Sequence, residues 1–184
     1  MKLSIFFFFI VQFTFFNLEC VAQSELKVSG KLGVQMSGIK DEDFIAQNVA
    51  PLFHISLAKK YTEVLSLRLG YRGPYFNTIA DTDRHHYSFF FGDAIFDLHQ
   101  RFSPEKESIW NLNLVLGGGL FYNYYYQRPN IAANLGLISS FQINEKWSAD
   151  IELGFIMAWD IYQNNDDILP GICFGVSYSI GQSE

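Results

Sequence analysis

Apolar and polar residues alternate along most of the chain, most clearly in the stretch WSADIELGFIMAW at 147–159. Every second residue from Trp147 to Trp159 is apolar, whereas the positions between them include Asp150 and Glu152. A period of two is typical of a β-strand with two unlike faces. At about 3.3 Å per residue and a tilt near 40°, this strand would rise roughly 30 Å, about the thickness of a bilayer's hydrocarbon core.

The same alternation recurs in other parts of the chain. It predicts further strands at 26–37, 52–59, 64–72, 87–101, 110–120, 131–142 and 172–180. With 147–159, these segments make eight strands. The pattern therefore predicts an all-β fold.

The predicted connections alternate between short and long. The short ones are 59–63, 103–108 and 144–147, and the longer ones are about 38–50, 73–86, 121–130 and 160–170. Pro74, Pro129 and Pro170 are expected to end strands within the longer connections. An even strand number with short turns at one end is typical of outer membrane barrels. We therefore predict an eight-stranded antiparallel up-and-down transmembrane β-barrel.

The two strand faces are assigned to lipid and to the barrel interior. Aromatic residues at the ends of the apolar face are predicted as membrane-interface anchors, namely Trp110, Trp147, Trp159 and Tyr71, with Tyr87 in the outer girdle. Charged residues of the opposite face are predicted to form a network in the lumen, namely Arg68, Arg72, Asp93, Asp97, Asp150 and Glu152. The alternative is a soluble barrel or sandwich with its apolar face inside and these charges in water.

The first residues suggest export from the cytoplasm. Lys2 precedes a Phe-rich run and then small residues near Ala22, which predicts a signal peptide at 1–22 and a barrel at 23–184. A membrane anchor, or a lipid on Cys20, is the alternative. Cleavage would leave Cys173 as a single cysteine, so no intramolecular disulfide is expected. The net charge of −6 gives no electrostatic case for a nucleic-acid partner.

Four segments carry distinctive motifs, namely GDAIFDL at 92–98, IWNLNLVLGGGL at 109–120, ANLGLISSFQINEKWSADIELG at 133–154 and GVSYSIG at 175–181. These segments resemble the barrel domain of OmpA-like outer membrane proteins of the Bacteroidetes type. The resemblance implies an outer membrane β-barrel. Members of that family commonly continue into a peptidoglycan-binding domain, which is not expected here because three residues follow 175–181. The last strand also ends in Ile180, where an aromatic residue is usual.

The sequence favours a non-enzymatic role in membrane integrity, in adhesion through loops, or as an accessory subunit of an outer-membrane complex. Membrane lipid is the expected partner, and no cofactor or metal is predicted. A lipid A-modifying barrel enzyme is one alternative, but the alternation places His54 and Ser56 in the lumen, away from a lipid substrate. A narrow pore for small solutes is the other. Because Leu153 and Glu152 lie on opposite faces, Leu153→Arg is expected to disturb insertion and Glu152→Gln is not.

Overall fold

The computed structural model describes residues 25–36, 49–77, 84–102, 108–159 and 166–181. Its strands are β1 (Leu26–Met36), β2 (Val49–Lys60), β3 (Leu65–Asn77), β4 (Arg84–Asp97), β5 (Trp110–Asn123), β6 (Arg128–Gln142), β7 (Trp147–Trp159) and β8 (Asp166–Ile180). A short helix, α1 (Leu98–Phe102), follows β4. Within these ranges, no helix has the length and apolar character needed to cross a bilayer.

Each strand pairs with its neighbours in chain order, and β1 also pairs with β8, which closes the barrel. All of these pairings are antiparallel, as between β1 and β2, where Leu32 faces Phe53 and Lys31 faces His54. Residues of like polarity therefore meet across the sheet, because partners in register point to the same face. This confirms the predicted eight-stranded up-and-down β-barrel.

The outer wall carries the apolar positions of the alternation. Leu32 is 67% exposed and Ile131 is 79% exposed, and the same face carries Leu69, Phe90, Leu120, Leu153 and Phe174. An apolar surface of this extent is unusual on a soluble monomer. The alternative arrangement, in which this face is turned inward, is therefore wrong.

The interior has three layers along the barrel axis. The half nearer the predicted long loops is filled by a buried cluster of Phe76, Tyr87, Phe89, Phe91, Phe121, Ala132, Ile156 and Leu169. Charged side chains fill the middle. A cavity of about 320 Å³ at the short-turn end is lined by polar residues such as Lys27, Asn113, Ser148 and Ser179. Cys173, a free cysteine, is buried on β8, where it pairs with Glu152 of β7.

Several predicted boundaries are wrong. Residues 98–102 form α1 and do not continue β4. The three prolines lie inside β3, β6 and β8, so they do not end those strands. The predicted loop at 121–130 is reduced to the turn 124–127, because β5 and β6 pair as far as Asn123 and Arg128. Strands of small barrels can extend beyond the apolar band, so an apolar pattern alone underestimates their length.

The structure also corrects the predicted outer girdle. Tyr87 lies in the lumen, 1% exposed, and donates a hydrogen bond to Gln35 Oε1 at 2.7 Å. Tyr87 lies six positions before Asp93, and residues at an even spacing on an extended strand share a face. The predicted signal peptide at 1–22 lies outside the described residues.

Candidate functional site: a charged cluster across the lumen

Glu152 of β7 is the centre of the middle layer. Its carboxylate accepts hydrogen bonds from Lys31 Nζ at 2.7 Å, from both terminal nitrogens of Arg68 at 2.9 Å, and from Arg72 Nη2 at 3.1 Å. Lys31 comes from β1, two strands from β7 through β8, whereas Arg68 and Arg72 come from β3 on the opposite side of the barrel. Each of these side chains is at most 2% exposed. One carboxylate therefore ties three positive charges together inside the lumen.

Two further carboxylates complete the charged cluster, which we define as Lys31, Arg68, Arg72, Asp93, Asp150 and Glu152. Asp93 accepts hydrogen bonds from Arg68 Nε at 3.0 Å and Nη2 at 2.7 Å, and from Asn134 Nδ2 at 2.9 and 3.0 Å. Asp150 accepts a hydrogen bond from Ser177, whose hydroxyl also meets that of Ser29 at 2.6 Å. Lys31 Nζ lies 3.8 Å from Asp150.

The charged cluster is balanced, with three cations against three carboxylates. Buried charges are costly unless they are paired and hydrogen-bonded, and removing one partner leaves the other uncompensated. His54 adjoins the charged cluster, with Nδ1 3.4 Å from Glu152 and its ring edge-on to Phe91 at 5.3 Å.

Two glycines make room for these long side chains. Gly117 pairs with Asp93, and a Cβ built there would lie 2.2 Å from the Asp93 carboxylate. Gly175 pairs with Lys31, and a Cβ there would lie 2.7 Å from Lys31 Cγ. The GGG run at 117–119 therefore includes a position where an inward side chain needs space, which a strand glycine often indicates.

Of the six predicted lumen charges, the structure brings five together and leaves Asp97 apart. Asp97 lies near the short-turn end, pairs with Asn113, and accepts a hydrogen bond from the Gln100 amide at 2.8 Å. It is four residues beyond Asp93, or about 13 Å along an extended strand. Two further residues of this region, Lys31 and Asn134, were not predicted to belong to it. The alternation of apolar and polar residues places both side chains inside the barrel, but it does not give their position along the barrel axis.

Two of the four predicted anchors lie at the short-turn end of the outer wall. Trp110 and Trp147 are half-exposed at the short-turn end, where the Trp110 indole donates to Ser139 Oγ at 2.6 Å and Trp147 packs on Tyr178. Tyr71 lies midway along β3 and packs on Phe90. Trp159 is the last residue of β7, but its side chain lies outside the described set.

No protein-family model matches the sequence, and a search of curated proteins finds no significant match. Solved barrels share the fold. The outer membrane protein OprG of Pseudomonas aeruginosa aligns at a TM-score of 0.55 and 9% identity, over 88% of this chain and 97% of that one.

Two further solved barrels give similar values. Neisserial surface protein A aligns at a TM-score of 0.51 and 11% identity, over 85% of this chain and 97% of its own. The N-terminal barrel of Pseudomonas aeruginosa OprF aligns at a TM-score of 0.50 and 14% identity, over 85% of this chain and 97% of that one. At such low identity, the similarity concerns the fold.

The charged cluster connects strands of the barrel through ion pairs and hydrogen bonds, and its geometry does not indicate catalysis. Neither ring nitrogen of His54 nor the Ser56 hydroxyl has a hydrogen-bond partner among the described residues, so the two do not form a nucleophile–base pair. Among the described side chains, no group of three or more His, Cys, Asp or Glu residues could hold a metal ion. The charges instead join β1, β3, β4 and β7 across the lumen.

Proposed function

We propose that this chain is a non-enzymatic β-barrel of the bacterial outer membrane with a structural or interaction role. That role is membrane integrity, adhesion through loops, or service as an accessory subunit of an outer-membrane complex. The exposed apolar wall supports contact with lipid, because outer membrane barrels present such a band between aromatic girdles. The segment resemblances support an OmpA-like barrel of the Bacteroidetes type, with the signal peptide at 1–22 removed.

The observation that carries the proposal is the filled lumen. The charged cluster spans the middle of the barrel, and the buried aromatic residues fill the half above it. An eight-stranded barrel is just wide enough for its side chains to fill the interior. Because two successive layers close the lumen, the barrel has no open channel in this part. Its outer wall and its ends are the surfaces that can interact with other molecules.

A narrow pore is the second candidate. The polar cavity of about 320 Å³ at the short-turn end favours it, because water and small solutes can enter that half of the lumen. The buried aromatic layer opposes it at the other half. Catalysis on lipid has less support, because His54 and Ser56 are buried in the lumen, at 0% and 5% exposure.

The proposal is tested by locating the protein and its partners. We expect it in the outer membrane fraction, with an intact mass that corresponds to a chain whose first residue is Gln23. The purified barrel should float with neutral phospholipid vesicles and resist extraction by carbonate. Gentle solubilisation followed by cross-linking mass spectrometry would show whether it belongs to a complex. Recovery in the soluble fraction, or a mass that retains residues 1–22, would contradict the membrane-barrel proposal or its processing step, respectively.

A further inference from the structure

A pocket of about 350 Å³ lies at the end of the barrel opposite the short turns, lined by Arg84, His86, Tyr124 and Tyr125. Arg84 and His86 share the strand parity of Phe90, which is 60% exposed on the outer wall. The pocket, which we call the rim pocket, therefore lies at the rim of the barrel, with Arg84 and His86 on the outer face.

The height of the rim pocket places it just above the apolar band. Phe90 pairs with Tyr71 and Leu120, and the three belong to the outer wall. His86 is four residues further along β4, which is about 10 Å along the axis of a tilted strand. In a membrane-embedded barrel, this level corresponds to the lipid headgroups, so the rim pocket continues the lipid-facing wall into the polar zone.

The aromatic rings of the rim pocket are held in place by the surrounding strands. The Tyr124 amide donates to the His86 carbonyl at 3.0 Å, and the Tyr124 hydroxyl meets Ser88 Oγ at 3.1 Å. Tyr125 stacks on the buried ring of His85 at 4.3 Å, and its amide donates to Asn123 Oδ1 at 2.9 Å. Rings fixed in this way lose little conformational freedom when a ligand binds. Tyr124 and Tyr125 nevertheless remain 53% and 59% exposed.

Among the described residues that line the rim pocket, Arg84 supplies a permanent positive charge. The Arg84 guanidinium lies 5.4 Å above the ring of Tyr75, which in turn packs edge-on against His86. Among the described residues, no carboxylate lies within salt-bridge distance of Arg84. A guanidinium held on an aromatic face keeps its planar donors directed outward, and these match a phosphate in a bidentate manner.

We propose that the rim pocket binds the phosphorylated sugar headgroup of an outer-leaflet glycolipid. Arg84 pairs with the phosphate, the faces of Tyr124 and Tyr125 pack against the sugar, and the acyl chains follow the apolar wall of β4 and β5. This proposal rests on the proposed membrane location. The position of the rim pocket at the edge of the apolar wall selects a lipid over a free anion, because a free anion would gain nothing from the wall.

The test uses the purified full-length barrel in detergent micelles, titrated by native mass spectrometry with a diphosphorylated, acylated glucosamine disaccharide. The same lipid without phosphates, phosphatidylglycerol and inorganic phosphate are the comparison probes. Arg84→Gln should weaken binding of the phosphorylated glycolipid about tenfold, the loss expected for a charged hydrogen bond. Arg84→Lys should lose less affinity for the phosphorylated glycolipid, because lysine retains the positive charge. Arg128→Gln, an exposed cation at the same end on β6, is the matched control and should bind as the wild type does.

The remaining outcomes also decide the proposal. Tyr124→Leu should weaken the glycolipid but not phosphatidylglycerol, because only the former presents a sugar. Equal affinity for the lipid without phosphates, equal losses in Arg84→Gln and Arg128→Gln, or displacement by millimolar inorganic phosphate would overturn it. Flotation of each variant with neutral vesicles is measured separately. A wild type that floats normally but does not bind the glycolipid rejects the rim pocket alone, whereas a wild type that fails to float rejects the membrane location.

Discussion

Arg68 and Glu152 join opposite walls of the barrel through two hydrogen bonds of 2.9 Å. Arg68 lies on β3 and Glu152 on β7, four strands apart in a closed barrel of eight, so the pair crosses the barrel axis. The planar guanidinium also binds Asp93 on the neighbouring β4. The pair therefore braces the wall and closes the middle of the lumen with the same contacts.

Glu152→Gln should strongly destabilise the barrel. Inward parity alone suggests a tolerant position, but the contacts change that expectation, because the substitution leaves Lys31, Arg68 and Arg72 buried with one carboxylate fewer. Breaking a buried ion pair by removing one partner costs about 3–5 kcal/mol. Urea unfolding in vesicles, followed by tryptophan fluorescence, measures the loss.

Asp97→Asn is the matched control for Glu152→Gln. Asp97 has the same inward parity but lies outside the charged cluster, near the polar cavity. Its removal should change the free energy of unfolding by less than about 1 kcal/mol, as for a hydrogen bond near solvent. Equal losses for the two variants would show that the charged cluster does not brace the barrel.

Leu153→Arg should impair assembly through the outer wall. Leu153 is 42% exposed and pairs with Leu137 and Ile172, two other wall residues. An arginine on the lipid face near the bilayer midplane costs about 2–4 kcal/mol. The measurement is the yield of folded protein in vesicles of increasing thickness. Leu153→Ala, which keeps the wall apolar, should assemble nearly as the wild type does, and a normal yield for Leu153→Arg would reject a lipid-facing wall at this position.

Two Gly→Ala substitutions distinguish a glycine that leaves space for a neighbouring side chain from one where only the flexibility of the unfolded chain changes. Gly117→Ala places a methyl group against the Asp93 carboxylate and the Gly92 carbonyl, so it should cost about 1–3 kcal/mol by overpacking. A methyl group at Gly30 meets no atom within 4 Å, so Gly30→Ala should be neutral or stabilise by up to about 1 kcal/mol. Unfolding midpoints in urea compare the two. A larger loss at Gly30 would contradict the packing described around Asp93.

The fold could be predicted because alternation is a local property. Each strand shows its two faces within about ten residues, so the apolar wall and the inward position of Asp93 or Glu152 needed no knowledge of the other strands. The wall must also be apolar over the whole thickness of a bilayer, which leaves a long and regular signal.

The arrangement of the lumen could not be predicted in the same way. Alternation tells which face a residue occupies, but its height depends on the register between strands, which is set by turns and packing. Lys31 and Asp97 show the difference. Both point inward, yet register brings Lys31 to Glu152 and leaves Asp97 near the mouth.

The aromatic layer was missed for a different reason. On β4 the two faces are both rich in aromatic residues, since Phe90 points outward whereas Tyr87, Phe89 and Phe91 fill the lumen. A hydrophobicity pattern cannot distinguish a lipid-facing ring from one that plugs a narrow barrel. Only the parity shared with Asp93 carries that information, and it places Tyr87 inside.

The barrel should not conduct ions steadily in a planar bilayer. Water entering the polar cavity at the short-turn end meets the charged cluster first and then the rings of Phe89 and Phe121, which are 0% and 1% exposed. Phe121→Ala should remain closed, because the charged cluster still spans the lumen beneath it. Single-channel current under symmetric salt is the measurement, with a general porin as the positive control. Large, steady, ohmic conductance from the wild type would reject the closed barrel and favour the pore, because it requires a continuous water path through both layers.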